Sequence, residues 1–151
     1  MPNDTKKDYP LQKFHFMVEW GGTKIGFTEL SGLSFETEVI DYRDGSSPVY
    51  NKKKLPGLTK FNNIILKRGV LLGDFDMYNL WRNTLMFQEG AAKFRRDITI
   101  KLLDEEHKPV IVWALQRAWP CKVMYADLNA NSNDVLIESM ELVHEGLSII
   151  F

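Results

Sequence analysis

Between residues 13 and 20 the chain alternates, with Phe14, Phe16, Val18 and Trp20 on one parity and Lys13, His15, Met17 and Glu19 on the other. A period of two predicts a strand with one buried face. Gly21-Gly22 follows as a two-residue hairpin signal, and Ile25 and Phe27 continue on a second strand until Ser31-Gly32 breaks it. Leu33, Phe35, Thr37 and Val39 then alternate with Ser34, Glu36 and Glu38, a third strand whose expected partner is 61–68, where Ile64 and Leu66 share a face. Further strands are expected over 97–103 and 109–117, joined by the polar turn Asp104-Glu105-Glu106-His107-Lys108, and over 135–143. The run Val110 to Leu115 is apolar on both parities, so cover on both faces is expected there.

One segment leaves this period. Asp74 suits an N-cap, Asp76 follows in the first turn, and Phe75, Tyr78, Trp81 and Leu85 recur at helical spacing. The pattern predicts a helix from Asp74 to about Gln88, with its aromatic stripe sealing the open face of a sheet. Short-spaced strands with one helix predict a mainly β fold, a β-sandwich or barrel of two packed sheets. The stretch 44–59, with Gly45-Ser46-Ser47-Pro48 and Leu55-Pro56-Gly57, reads as a long irregular loop, and loops of that length are usually functional or disordered.

Composition changes this picture little. A chain of 151 residues is expected to form one domain over 1–151, with 1–10 as a flexible N-terminal segment. With 44% hydrophobic and 26% charged residues it falls in the globular class, and no apolar run is long enough for a membrane-spanning helix. The polar N-terminus lacks the apolar stretch of a signal peptide, which leaves the Asn3-Asp4-Thr5 sequon without a secretion context. Charge changes it more. The formal net charge is −1, yet 43–68 holds seven basic residues against Asp44, and 127–145 holds five acids with no Lys or Arg. A chain with one basic and one acidic segment is suited to bind a second copy of itself, head to tail.

Candidate chemistry is sparse. Cys121 is the sole cysteine, so an internal disulfide or a cysteine-based zinc site is excluded, and a Cys–His pair would have to use His15, His107 or His144. Cys121 follows Trp119-Pro120 at an expected strand start and reads as a structural thiol. The histidine spacing suits no metal, there is no nucleophile elbow and no phosphate-cradling loop. Glu36 and Glu38 share a strand face as glycosidase carboxylates can, but solvation explains them more simply. Lys52-Lys53-Lys54 beside Tyr50 and Phe61 would suit nucleic acid, which the acidic net charge opposes. The expectation is a binding or structural role without catalysis, cofactor or metal.

Six stretches in order carry a resemblance: Gly26-Phe27-Thr28-Glu29-Leu30-Ser31-Gly32-Leu33, Asp41-Tyr42-Arg43-Asp44-Gly45, Lys54-Leu55-Pro56-Gly57-Leu58, Leu66-Lys67-Arg68-Gly69-Val70, Trp113-Ala114-Leu115-Gln116-Arg117-Ala118-Trp119-Pro120 and Glu141-Leu142-Val143-His144-Glu145-Gly146-Leu147. Together they resemble the tail-tube proteins of contractile phages and contractile injection systems, from about Leu11 to Leu147. The resemblance implies the tail-tube fold and hexameric rings stacked into a hollow inner tube, which is driven through a target envelope to deliver cargo. It implies assembly in the bacterial cytoplasm into a phage tail or tail-like particle. The implied partners are further copies of the chain, sheath, baseplate or spike, tube terminator and effector cargo in the lumen, with nucleic acid only in a true phage. It also implies that the connection after the third strand reaches a neighbouring ring. The expected inter-subunit contacts then pair Arg43, Lys52, Lys53 and Lys54 with Glu138, Glu141 and Glu145, and Glu36 and Glu38 are expected to line the lumen. The competing readings are a tube-initiator ring at the baseplate and a monomeric ligand-binding β-barrel.

Overall fold

A computed structural model describes residues 10–13, 15–21, 23–43, 45–46, 53–85 and 94–150. The expected N-terminal segment, apart from Pro10, lies outside them. Ten strands and one helix follow in the order β1 (Phe16–Trp20), β2 (Thr23–Ile25), β3 (Glu29–Ser31), β4 (Glu36–Tyr42), β5 (Lys53–Lys60), β6 (Ile64–Gly69), α1 (Asp76–Thr84), β7 (Arg96–Leu103), β8 (Pro109–Tyr125), β9 (Ile137–Val143) and β10 (Gly146–Ile149).

Two layers share one strand. The first half of β8 pairs with β7, which continues to β1 and β2, and β10 lies on its other side. The second half pairs with β9, which continues to β6 and β3. The turn from layer to layer occurs at Arg117, which has φ of 50° opposite a register shift at Asp97. The Arg117 N–H donates to Asp97 Oδ1 at 3.0 Å, and its guanidinium pairs with Glu145 Oε2 at 2.9 Å. That bulge bends the strand and satisfies its loosened backbone. Sequence placed Cys121 at a strand start; it sits inside β8, at a second bulge where Pro120 faces Leu142 and Lys122 faces Glu141. Proline has no N–H for a ladder, so a bulge is where a strand tolerates it.

The core lies between the layers. Val18, Trp20, Ile98, Ile100, Leu115 and Leu147 come from one, and Ile64, Leu66, Ala118, Met140 and Leu142 from the other, with Met77 of the helix joining them. The expected cover on both faces of 110–115 is partial: Val112 and Leu115 are buried and their neighbours half-buried.

The helix packs on β8, but on a different face from the one expected. Met77 is buried and Leu80 packs on the core, whereas Phe75, Tyr78 and Leu85 are exposed and Trp81 lies between. Asp74 is not the cap residue, which is Phe75, although Asp74 Oδ1 still accepts the Asp76 N–H at 3.1 Å. The same carboxylate holds Arg68 at 2.9 Å, which ties the turn before the helix to β6. The expected extension to Gln88 lies outside the described residues.

Candidate assembly surfaces

The 44–59 stretch was expected as a long irregular loop, but its described part from Lys53 onward is strand. Residues 53–60 form β5, which pairs with β4 as a two-stranded sheet of its own, so β4 does not pair with the segment that became β6. A bulge between Thr37 and Val39 brings Val39 opposite Pro56. A Cβ at Gly57 would come within 3.0 Å of Ile40 Cγ1, which makes the glycine a packing requirement. Among the described residues β4 and β5 pack on each other and on no other element to a comparable extent. Phe35, Val39, Ile40, Tyr42, Leu55 and Leu58 are therefore exposed, the last at 76%. Of the side read as the buried face of a third strand, Leu33 packs on the core, whereas Phe35, Thr37 and Val39 are bare among the described residues.

The root of this hairpin is firm. Gly32 has φ of 101°, and a Cβ there would stand 2.2 Å from the Asn63 carbonyl oxygen, so the two strands cross where no side chain fits. Phe35 meets Phe61 edge to face with centroids 6.3 Å apart. Phe61 meets the His144 ring at 5.6 Å, and His144 Nε2 lies 2.9 Å from the Asn62 carbonyl oxygen.

The basic candidates gather at the hairpin's free end. Tyr42 faces Lys53, Asp41 faces Lys54, and Arg43 follows; all are exposed. Lys52 lies outside the described residues. Lys54 Nζ reaches Asp41 at 3.5 Å, and Lys60 pairs with Glu38 near the root at 2.5 Å. The hydrogen bond to Glu38, then its charge, raises the Lys60 pKa above its ordinary value. Both pairs are open to water, where such contacts contribute little to stability. Glu36 is exposed and Glu38 half-buried on the same hairpin.

The acidic candidates separate. Glu138 is 1% exposed and its Oε1 accepts from Arg68 Nε at 2.6 Å, so it faces the core and is withdrawn from the expected contact with lysines. The reason is parity: Glu138 shares the inward side of β9 with Met140 and Leu142, and Arg68 shares that of β6 with Ile64 and Leu66. The register sets Arg68 opposite Glu138. Burial would lower the Arg68 pKa, but hydrogen bonds to Glu138 and Asp74 outweigh it and raise the value. Asp74 is held below the usual carboxylate range, first by the Asp76 N–H and then, against some burial, by Arg68. Glu141 is half-buried beside Cys121, with Sγ 3.7 Å from its Oε2. Burial and then this carboxylate push the thiol pKa up, the reverse of an activated nucleophile. Glu145 is paired within the chain to Arg117.

Sequence reading missed an apolar pole. At the Gly69 end of β6 the Val70 N–H donates to the Leu136 carbonyl at 2.9 Å, and the Ala126 N–H donates to the Ile137 carbonyl at 2.9 Å. The turn before the helix and the 126–136 loop thus meet there. Leu71, Leu72, Phe75, Leu128 and Val135 are all exposed on them, Leu72 completely and Leu128 at 85%. The same two segments carry Asp74, Asp76, Asp127 and Asp134 and no Lys or Arg. The run Val70-Leu71-Leu72 was the available signal, but an apolar run in a sequence does not say whether it is covered.

Among the described residues, no group of three or more His, Cys, Asp or Glu side chains is placed to hold a metal ion. What the molecule presents is surface: an uncovered hairpin at one end and an uncovered apolar pole at the other.

Known proteins share this fold. The family model of the T4-like virus tail tube protein gp19 matches residues 12–148. A search of curated proteins finds no match. The chain is similar to one in the sheath-tube complex of the extracellular contractile injection system PVC in its extended state, at 27% identity, 99% of each chain and a TM-score of 0.83. It is also similar to a chain of the anti-feeding prophage tube terminating cap, at 29% identity over 94% of this chain and 91% of that one, with a TM-score of 0.79. Hcp1 from Flavobacterium johnsoniae shares the fold at 14% identity, with a TM-score of 0.52 over 89% of this chain and 93% of that one.

Proposed function

The chain belongs to the T4-like virus tail tube protein family, and on that premise we propose how this subunit of a contractile inner tube assembles and works. The observation that carries the reading is likeness along the whole length to a chain of a sheath-tube complex, together with a hairpin that finds no cover among the described residues. A lone two-stranded hairpin is marginal in water, so one with this much exposed apolar surface needs a second molecule. Such a contact, between unlike surfaces, closes into a ring or continues as a filament.

The subunit forms hexameric rings that stack into a hollow tube, within a phage tail or an extracellular injection particle put together in the bacterial cytoplasm. The tube is driven through a target envelope and delivers cargo; sheath, baseplate and terminator are its partners. Arg43, Lys53 and Lys54, with Lys52, act at a subunit boundary, while Glu36 and Glu38 offer a polar lining to the lumen. The role is structural, without catalysis.

Negative-stain electron microscopy of the purified chain, over a range of concentrations and with purified baseplate added, tests this. Six-fold rings and tubes are expected. Chains that stay single with baseplate present refute it. A second reading, one ring at a cap or baseplate, draws on the likeness to the cap chain; a copy number of six per particle, against many rings, decides for it.

A further inference from the structure

We propose that His15 and His107 form a two-imidazole site for a divalent transition metal of the zinc type, a site that the spacing of the histidines along the chain hides. The two stand ninety-two positions apart, yet their ring centres are 5.2 Å from each other, with the planes at 75°. Two separate features of the fold bring them together. β1 pairs with β7 as far as Phe16 opposite Leu102, and one step further the Leu103 N–H donates to the His15 carbonyl at 2.8 Å. His15 is thereby fixed beside the start of the 104–108 turn. In that turn Asp104 Oδ1 accepts the Glu106 and Lys108 N–H groups at 2.9 and 2.8 Å, and the Asp104 carbonyl accepts the His107 N–H at 3.0 Å. These bonds hold His107 at φ of 61°, a left-handed conformation uncommon for a residue other than glycine, and there its ring meets that of His15.

The separation suits two ligands on one ion. Zinc lies about 2.0–2.1 Å from an imidazole nitrogen and so about 3.2 Å from the ring centre, and two such rings at a tetrahedral angle have centres about 5.2 Å apart. The second side-chain torsion of histidine is soft, so turning the rings aims one nitrogen of each at a common point without moving the backbone. Imidazole suits zinc, copper and nickel, whereas magnesium and calcium take oxygen ligands. Local charge favours a cation as well. The turn carries Asp104, Glu105 and Glu106 against Lys108, which is itself paired with Glu106 at 3.2 Å, and Lys101 of β7 is paired with Glu19 at 3.0 Å. His15 is half-buried and His107 exposed, which leaves the other positions of the ion to water. A metal here joins the chain's entry into β1 to the turn between β7 and β8, and the site is independent of the tube reading.

Calorimetric titration of the untagged full chain with zinc chloride tests the site. One saturable equivalent per chain is expected, with a melting temperature that rises with zinc concentration. His15→Gln and His107→Gln each weaken binding by roughly tenfold or more and remove that rise, whereas His144→Gln and Cys121→Ser leave both unchanged. Because lost binding can also follow from a damaged fold, a replacement ligand supplies the second measurement. His107→Cys with Cys121→Ser keeps zinc, since thiolate is also a zinc ligand, and with cobalt(II) it shows an ultraviolet thiolate-to-metal absorption that Cys121→Ser alone lacks. Absence of saturable binding at millimolar zinc overturns the site, as does binding that survives both glutamine variants. One zinc shared by two chains overturns it too, because the two imidazoles would then belong to different molecules.

Discussion

Replacing Arg68 by Met removes the cation paired with Glu138 inside the molecule. The side chains of Arg68 and Glu138 are 7% and 1% exposed and lie 2.6 Å apart, with Asp74 on the other arm of the guanidinium at 2.9 Å. Taking one partner from a buried pair costs about 3–5 kcal/mol, because the remaining charge stays in the interior uncompensated. Asp74 suffers less, since it keeps the Asp76 N–H and is partly open to water. At roughly 2–4 °C per kcal/mol for a chain of this size, Arg68→Met should lower the melting temperature by roughly 6–20 °C. The double variant Arg68→Met/Glu138→Leu removes both charges, and such replacements are neutral or stabilising by about 1–4 kcal/mol. It should therefore melt near or above wild type, far from the sum of the single effects. The assay is thermal and denaturant unfolding followed by circular dichroism, at concentrations where chains are single, since assembly adds a concentration-dependent stabilisation of its own. A cost below about 1 kcal/mol for Arg68→Met, or a double variant as unstable as the single one, would refute the burial argument.

Gly32→Ala should destabilise the chain by more than about 1 kcal/mol, because φ of 101° and the Asn63 carbonyl leave no room for a methyl group; Gly26→Ala, with open space around it, should melt like wild type. Acid unfolding should depend on Asp74. Its folded pKa lies below the unfolded one, so its contribution is complete above about pH 4 and is lost as pH falls through the folded value. Asp74→Asn should thus be less stable at neutral pH and lose less than wild type below about pH 4, and parallel acid titrations would contradict this. With Cys121→Ser as background, Glu36→Cys or Glu38→Cys in assembled tubes should react with small maleimides and not with reagents wider than the bore, and equal labelling by both rules out a lumenal position.

Alternation read β1, β7 and β9 closely because each has one face in a core made by its own chain. It failed for β5, where Lys53-Lys54-Leu55-Pro56-Gly57-Leu58 has no inward parity, since no other described element gives that hairpin an interior to face. It also missed β10, whose four residues bury Leu147 alone. The buried ion pair was legible: Glu138 stands on the parity of Met140 and Leu142, and Arg68 on that of Ile64 and Leu66. Summing charge by segment hid it, because a sum ignores which side of a strand a residue takes. The helix misled because Met77 and Leu80, and not the aromatic stripe, turn toward the core. Of the assembly surfaces, the basic hairpin end was legible from its lysines. The apolar pole was not, because it forms where the 126–136 loop meets the turn before the helix, residues some sixty positions apart.

One strand, β8, runs through both layers, seventeen residues from Pro109 to Tyr125 with a turn at Arg117. Two sheets joined by side-chain packing alone can slip past each other when pushed. Here a thrust on either sheet reaches the other along covalent bonds, and sliding would require the bulge at Arg117 and Asp97 to be undone. For a tail tube subunit loaded along the tube, that shared strand works as a spar, making the two layers yield together or not at all.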